Sequence, residues 1–410
     1  MLTRRLWFRA SLIGSMGILA AILAAFVERY IPWRMPYDIG ADAVSSILHI
    51  IASSMLAVTT FSLSVMTSAY GSATSNVTPR ATPLLMEDRV TQNVLSTFLG
   101  SFLFSIVGII VLNTGAYGDR GRTILFMVTI AVIGLIVITL LRWIDHLTRL
   151  GRVGETTDRV EAAARSAIEG LLAEPFLGGT PLLAEQSAPP AHAVVRANAV
   201  GYVQHIDMAL LSAAADAMAG AIYLAAPVGT YLYADAPLAH VVGLPGGEAG
   251  EEVAAAIRGA FSLGAERRFD EDPRFCLAVL SEIASRALPP GGNDRGTAMD
   301  VITRSTRLLA LWGHGREKAR PSEIRFPRVH VRLVADADLF EDAFMLMARD
   351  GATLIEVQLR LRKSLLSLSR IGTPSFRRAA LDQADLAMQR AGQGLALESE
   401  RVRLATVRID

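Results

Sequence analysis

The chain has 410 residues, of which 51% are hydrophobic and only 19% charged, where a soluble domain carries about 25% charge. The deficit is local: residues 1–141 hold 15 of the 79 Asp, Glu, Lys and Arg side chains, and the remaining 269 residues hold 64. That distribution argues against a purely soluble enzyme, a disordered chain and a fibrous repeat. Net charge is +1, divided as +3 before residue 142 and −2 after it, so neither part has the basic excess of a nucleic-acid binder. The single cysteine, Cys276, excludes a disulfide within the chain and a cysteine-based metal cage. Lys318 and Lys363 are the only lysines beside 38 arginines, which reads as genome composition bias.

Four apolar stretches come first: Ala10–Val27, Ala43–Tyr70, Thr91–Gly118 and Thr123–Leu141, all uncharged. Each reaches the roughly 20 residues a helix needs to cross hydrocarbon, and a helix satisfies its own backbone groups in lipid. The first stretch exceeds the core of a signal peptide and has no clear cleavage site after it, so an uncleaved helix is expected. Arg4, Arg5 and Arg9 precede the first helix; Arg142, Arg149 and Arg152 follow the fourth. By the positive-inside rule both termini are expected in the cytoplasm, which makes this a multi-pass protein of a bacterial inner membrane. The unpaired Cys276 suits that compartment.

The second stretch carries an unusual pattern. At 100° per residue, Ser46, His49, Ser53, Thr60, Ser64 and Thr67 fall within about 60° of one another. Ile50 and Phe61 flank this polar stripe, and Ile51, Met55, Val58 and Val65 occupy the other faces. Two accounts stand. Small residues let helices approach closely, with hydroxyls bonding back to i−4 carbonyls. Alternatively, copies of this helix surround a narrow wet path, with hydroxyls facing partly dehydrated ions. An intramembrane histidine is a functional candidate in its own right, and one that can titrate near neutral pH.

The segment Gly71–Asn93 is too polar to span, and Pro79 and Pro83 forbid one continuous helix. Glu87, Asp88 and Arg89 are placed to cap the next helix and pair among themselves. With Arg80 they would form the cytoplasmic mouth of any pore, as headgroup anchors or as a charge ring.

The remainder reads as α+β. Thr156–Ala173 has helical spacing, and Glu174–His192 reads as a linker rich in Pro, Gly and Ala. Val194–Val242 reads β-helix-β-β, with Asp207 as a cap and a small barrel-like module resembling that of biotinyl carriers. The module has no lysine for cofactor attachment. Glu251–Ala260 is an expected helix and Ala265–Phe269 an expected strand. Asp272 caps a strong helix to Leu288, with Pro273 at its first position. Asn293 and Asp294 precede another helix near Thr297–Trp312; there a cap competes with a ligand or subunit contact. Ile324–Val334 reads as a strand, and Asp336–Arg349, Thr353–Ser369 and Ser375–Ala391 as helices. The expected organisation is a four-helix transmembrane domain (1–150), a helix and linker (151–195), a small β-rich module (196–245) and a mainly helical α+β cytoplasmic domain (246–410).

Three runs carry a family resemblance: TTFSLSVMTSAYGSATSNVTPRATPLLMEDRVTQNVLSTFLGSFLFSI, GYVQHIDMALLSAAADAMAGAIYLAAPVGTYLYADAPLAHV and RRFDEDPRFCLAVLSEIASRALPPGGNDRGTAMDVI. Over most of Leu2–Leu309 the chain resembles bacterial predicted membrane proteins that carry the domain of unknown function 2254. Asp272-Pro273-Arg274-Phe275 and Asn293-Asp294 are its most specific motifs. The chain departs from the family's Ala-Leu-Ser-Pro and Gly-Ile-Asn-Asp-Pro pattern at Pro289, Gly292 and Arg295. The resemblance implies an architecture and supplies no established activity.

The seven histidines are dispersed, and no HxxxH, HExxH, Walker A, GxGxxG or GxSxG pattern occurs. No enzyme activity, cofactor or metal is therefore expected. The leading functional expectation is a homo-oligomeric ion channel or pore lined by the second helix, gated through the cytoplasmic domain. Its partners would be the bilayer, further copies of itself and small inorganic ions. The alternative is a non-conducting scaffold or sensor acting through the cytoplasmic domain. A transporter is a weaker third reading, because repeats and broken helices are lacking.

Overall fold

A helix of 36 residues, α1 (Ala41–Asn76), dominates the N-terminal part of the computed structural model. The structure describes residues 11–12, 14–16, 18–19, 40–86, 88–114, 119–149, 151–182, 189, 192–289, 292–318 and 323–408. The chain divides into two units, Met1–Thr156 and Thr157–Asp410.

In the first unit, Ala41–Ser72, Arg89–Asn113 and Gly121–Leu147 are long and apolar enough to cross a membrane. They correspond to the second, third and fourth apolar stretches. Of the first stretch, residues 11, 12, 14–16, 18 and 19 are helical, and the rest lies outside the described residues. Helix α1 runs past the expected end at Tyr70 because no breaker intervenes before Pro79. Thr74 Oγ1 donates back to the Tyr70 carbonyl at 2.8 Å and meets Thr82 Oγ1 at 3.1 Å. The two prolines then act as expected. A 3₁₀ turn (Pro79–Ala81) and a short α2 (Thr82–Met86) replace one continuous helix.

Helix α3 (Arg89–Asn113) is the most buried of the three. Its small residues Ser96, Gly100, Ser101, Ser105 and Gly108 are all buried, so neighbouring backbones can approach it closely. At Gly108 an added Cβ would lie 3.1 Å from Leu48. Helix α4 (Asp119–Leu147) completes the packing. One apolar cluster joins Val44, Leu48, Phe104, Ile109, Leu112 and Leu125; a second joins Ile51, Met55, Val94, Phe98, Ile136 and Trp143. Each draws on all three helices.

The second unit begins at Thr157, within α5 (Val153–Ala173). Its strands are β1 (Gly179–Leu182), β2 (Ala193–Arg196), β3 (Gly201–Ile206), β4 (Ala221–Leu224), β5 (Tyr231–Leu232), β6 (Pro237–Val242), β7 (Phe261–Gly264) and β8 (Phe326–Arg332). They form a mixed five-stranded sheet, β1-β8-β4-β6-β2, and an antiparallel three-stranded sheet, β5-β3-β7. Helices α6 (Met208–Ala217) and α7 (Gly247–Gly259) lie between strands in the chain. Val195, Leu211, Ile222, Ala239, Val241, Ile257 and Val329 fill the shared core.

Three expectations are corrected here. The barrel-like module is two open sheets, because β4 and β6 pair within a sheet that β1 and β8 extend from outside residues 196–245. The linker contains strand β1, held by parallel pairing to β8, which lies far along the chain. The strand expected at Ala265–Phe269 is β7, four residues earlier. At Ala265–Phe269 the chain turns instead, with Arg267 paired to Asp272 and Phe269 packed on Phe275 at 4.8 Å.

The helices that follow are α8 (Pro273–Ala287), α9 (Arg295–Glu317), α10 (Asp336–Asp350), α11 (Ile355–Leu368), α12 (Pro374–Gly394) and α13 (Glu398–Ala405). Their apolar faces bury Cys276, Leu280, Ile302, Trp312, Phe344, Leu361 and Phe376 completely. Buried Trp312 donates to Asp336, whose other oxygen accepts from Ser375, at 2.8 and 2.6 Å. The indole N–H is thereby satisfied inside the core.

Candidate functional site

The polar stripe of the second apolar stretch lies on one side of α1. Ser46, His49, Ser53, Thr60, Ser64 and Thr67 are all exposed in the protomer. The packed side of the same helix carries Val44, Leu48, Ile51, Ala52, Met55 and Ser62. Ile50 and Phe61, which flank the stripe, are 65% and 64% exposed. Three stripe hydroxyls donate to carbonyls one turn back: Ser53 to His49 at 3.0 Å, Thr60 to Leu56 at 2.9 Å and Thr67 to Leu63 at 2.9 Å. Their polarity is therefore met inside the helix. His49 differs, since its imidazole has no hydrogen-bond partner among the described residues. It lies eight residues from Ala41, about 12 Å along the axis.

The expected mouth residues separate. Arg80 and Arg89 are exposed, and Glu87 lies outside the described residues. Asp88 turns into the bundle instead of outward. Its carboxylate caps α3 by accepting from the Val90 and Thr91 amides at 3.4 and 3.1 Å. It also accepts from Thr91 Oγ1 at 2.5 Å and lies 2.7 Å from His146 Nε2 on α4. His146 stacks on Trp143, with ring centroids 5.6 Å apart. Trp143 Nε1 donates in turn to Ser62 of α1 at 2.9 Å. Thr91, Trp143 and Ser62 are at most 1% exposed, so this polar chain links all three apolar helices through their interior. Sequence reasoning took Asp88 as a cap and missed the rest. The available signal was Ser62, a hydroxyl on the apolar side of α1, together with a histidine in the last turn of α4.

In the second unit, Asp272 and Asp294 both cap helices. Asp272 accepts from the Phe275 amide at 2.9 Å and takes two bonds from Arg267, at 2.7 and 2.8 Å. Gly229, at φ +86°, sits so close that an added Cβ would lie 2.3 Å from the Asp272 carboxylate. Asp294 accepts from the Thr297 hydroxyl at 2.6 Å and amide at 3.0 Å. The hydroxyl bond first, then the amide bond, hold its carboxyl below the usual range. Asn293 stands exposed beside it. The two motifs thus occupy the starts of successive helices, and nothing at either gathers further ligand groups. Among the described residues no cluster of three or more His, Cys, Asp or Glu side chains is arranged to hold a metal.

The model of the predicted membrane protein family with the domain of unknown function 2254 matches residues 3–367. The chain belongs to that family. An uncharacterized protein of Mycobacterium tuberculosis strain H37Rv and one of Mycobacterium bovis are each 26% identical to it over 277 residues, which is 65% of this chain. The chain spans about half the length of these curated relatives, at 51%. No solved structure matches it. Membership makes the chain a membrane protein, in agreement with the three long apolar helices among the described residues. The stripe and the buried Asp88–His146 chain both lie inside the matched region, as do the Asp272 and Asp294 caps.

Proposed function

We propose that this membrane protein is the subunit of a homo-oligomeric ion channel or pore, with α1 lining the conduction path. The observation that supports this reading is the exposure of all six stripe residues on the side of α1 turned away from its packed neighbours. A protomer alone in lipid would leave the unpartnered imidazole of His49 in hydrocarbon, where an unsatisfied polar group costs several kcal/mol, roughly 2–7. Either water in a shared path or another copy of α1 removes that cost. The hydroxyls carry no fixed charge, which suits weakly held monovalent ions. Arg142 near the end of α4, with Arg149 and Arg152 just beyond it, favours a cytoplasmic second unit, whose proposed role is to gate the path. Residence in the inner membrane with both termini cytoplasmic belongs to the same proposal.

The alternative is a non-conducting scaffold or sensor. The in-helix bonds of Ser53, Thr60 and Thr67 favour it, since hydroxyls satisfied this way need no water. In that reading the stripe packs α1 against α1, and the second unit binds a partner.

Current across a planar bilayer holding the purified protein, at asymmetric salt and two pH values, separates the two. Selective current that Thr60→Leu or Ser53→Leu abolishes while the oligomer stays intact supports the pore, and the reversal potential assigns the ion. A silent bilayer, with the same substitutions dissolving the oligomer, overturns the pore in favour of the scaffold.

A further inference from the structure

A basic cleft of about 460 Å³ opens in the helical part of the second unit. It is lined by Thr303, Thr306 and Arg307 of α9, by Arg360, Lys363, Ser364 and Ser367 of α11, and by Arg408 beyond α13. The positions recur at three- and four-residue steps on both helices, so each helix turns one face to the cleft. Two packed helices ordinarily meet along an apolar seam. Around this cleft the two helices place three cations and four hydroxyls, Arg408 adds a fourth cation, and no carboxylate lines the space.

The pairing of these cations is uneven. Arg307 is anchored from behind by Glu161 of α5, at 2.8 Å, and the same carboxylate holds Arg304 at 2.7 Å. Among the described residues Arg360, Lys363 and Arg408 have no carboxylate within 4.0 Å. Elsewhere in this unit Arg267, Arg274, Arg349 and Arg378 each find one. The hydroxyls divide in the same way. Thr303 and Thr306 donate to carbonyls of their own helix, at 2.9 and 2.6 Å. The hydroxyls of Ser364 and Ser367 make no hydrogen bond among the described residues, so their protons remain available to a ligand. Like charges gathered in a concavity repel, and a bound anion relieves this.

We infer that this cleft is a binding site for an anion bearing more than one phosphate-type charge, held by Arg307, Arg360, Lys363 and Arg408 with Ser364 and Ser367 as neutral donors. Guanidinium groups match phosphate oxygens two at a time, and a lysine adds a compact point charge. Four cations exceed the charge of a single phosphate and suit a diphosphate or triphosphate. The volume falls within the roughly 300–1,000 Å³ of small-molecule sites. A soluble polyphosphate and a phosphorylated lipid headgroup present the same chemistry, and the site is independent of whether α1 conducts.

The test uses the full chain in detergent, titrated calorimetrically with inorganic phosphate, pyrophosphate and geranyl diphosphate, a short-chain lipid with a diphosphate headgroup. Pyrophosphate binding at least tenfold tighter than phosphate supports a soluble polyphosphate. Tighter binding of the geranyl diphosphate, displaced by pyrophosphate, supports a lipid diphosphate headgroup at the same site. In both cases the R360Q/K363Q variant loses tenfold or more in affinity. Both side chains are exposed and their removal relieves like-charge repulsion, so its thermal midpoint without ligand is no lower than that of the parent; Ser364→Ala gives a smaller loss as a second check. Absence of millimolar or tighter binding by any probe at low salt overturns the inference, as does an affinity that the double variant leaves unchanged.

Discussion

His146 on α4 sits 2.7 Å from the Asp88 carboxylate at the start of α3. Both groups are nearly buried, at 13% and 8% side-chain exposure. One contact thereby combines a helix cap with a polar tie between two membrane helices. A buried group whose partner is removed keeps its desolvation cost, about 1–3 kcal/mol. Asp88→Asn can still cap α3 but removes the carboxylate that faces His146. We expect Asp88→Asn and His146→Leu each to lower stability by that order, and the double variant to lose less than the sum. A double-mutant cycle in detergent measures the coupling, expected at roughly 0.5–3 kcal/mol for residues in contact. Strict additivity would show that the two groups do not interact.

Two of the helix caps of the second unit, Asp272 and Asp294, rank in order of burial. Asp294 is exposed, so Asp294→Ala is expected to cost about 0.5–2 kcal/mol, the usual worth of an N-cap. Asp272 is only 2% exposed and also holds Arg267 in two bonds. Its loss removes the cap and strands the guanidinium, so Asp272→Ala is expected to cost more than Asp294→Ala. Gly229→Ala acts on the same spot from the other side, forcing a Cβ onto the Asp272 carboxylate at a left-handed φ. We expect it to destabilise more than a typical glycine substitution. Thermal midpoints of the three variants test the ranking, and equal effects of Asp272→Ala and Asp294→Ala would refute it.

Acid sensitivity follows from a row of rings across the mixed sheet. Tyr223 of β4 is paired with His240 of β6 on one side and His330 of β8 on the other. His330 stacks on Tyr223 at 4.2 Å, and His192 meets His240 edge-on at 4.6 Å. Burial lowers the His330 pKa; burial, then the neighbouring His192, lowers that of His240. The folded state therefore resists protonation that the unfolded chain accepts near its ordinary value. Stability is full above about pH 6.5 and falls as the pH drops below that value toward the lowered folded ones. Unfolding midpoints between pH 7.5 and 5 should decline, with a flatter slope in His330→Gln. A midpoint that rises on acidification would contradict the assignment.

Cys276 is fully buried on α8, and its thiol donates weakly to the Phe269 carbonyl at 3.6 Å. Burial, reinforced by the charge of Asp272, pushes its pKa well up. Only the thiolate reacts with alkylating agents. We expect iodoacetamide to label the native chain negligibly at pH 8 and the denatured chain completely, as read by mass spectrometry. Rapid native labelling would mean that α8 opens readily.

Three of the expected long apolar helices, the proline break and the Asp272 and Asp294 caps were legible in the residues, because each rests on short-range physics. Eighteen or more apolar residues in a row prefer lipid whatever surrounds them, and a cap needs only the three residues that follow it. The polar stripe was legible for the same reason, since helical periodicity alone gathers Ser46, His49 and Thr60 on one side. The tertiary structure decided which side of α1 packs, and so that the stripe stays exposed while Ser62 is buried. It alone brought Asp88 to His146, turned part of an apparent linker into β1 by pairing it with β8, and drew Arg307, Arg360, Lys363 and Arg408 around one cleft. Those relationships join residues far apart in the chain, and their partners are chosen by burial and pairing in three dimensions, which no local pattern encodes.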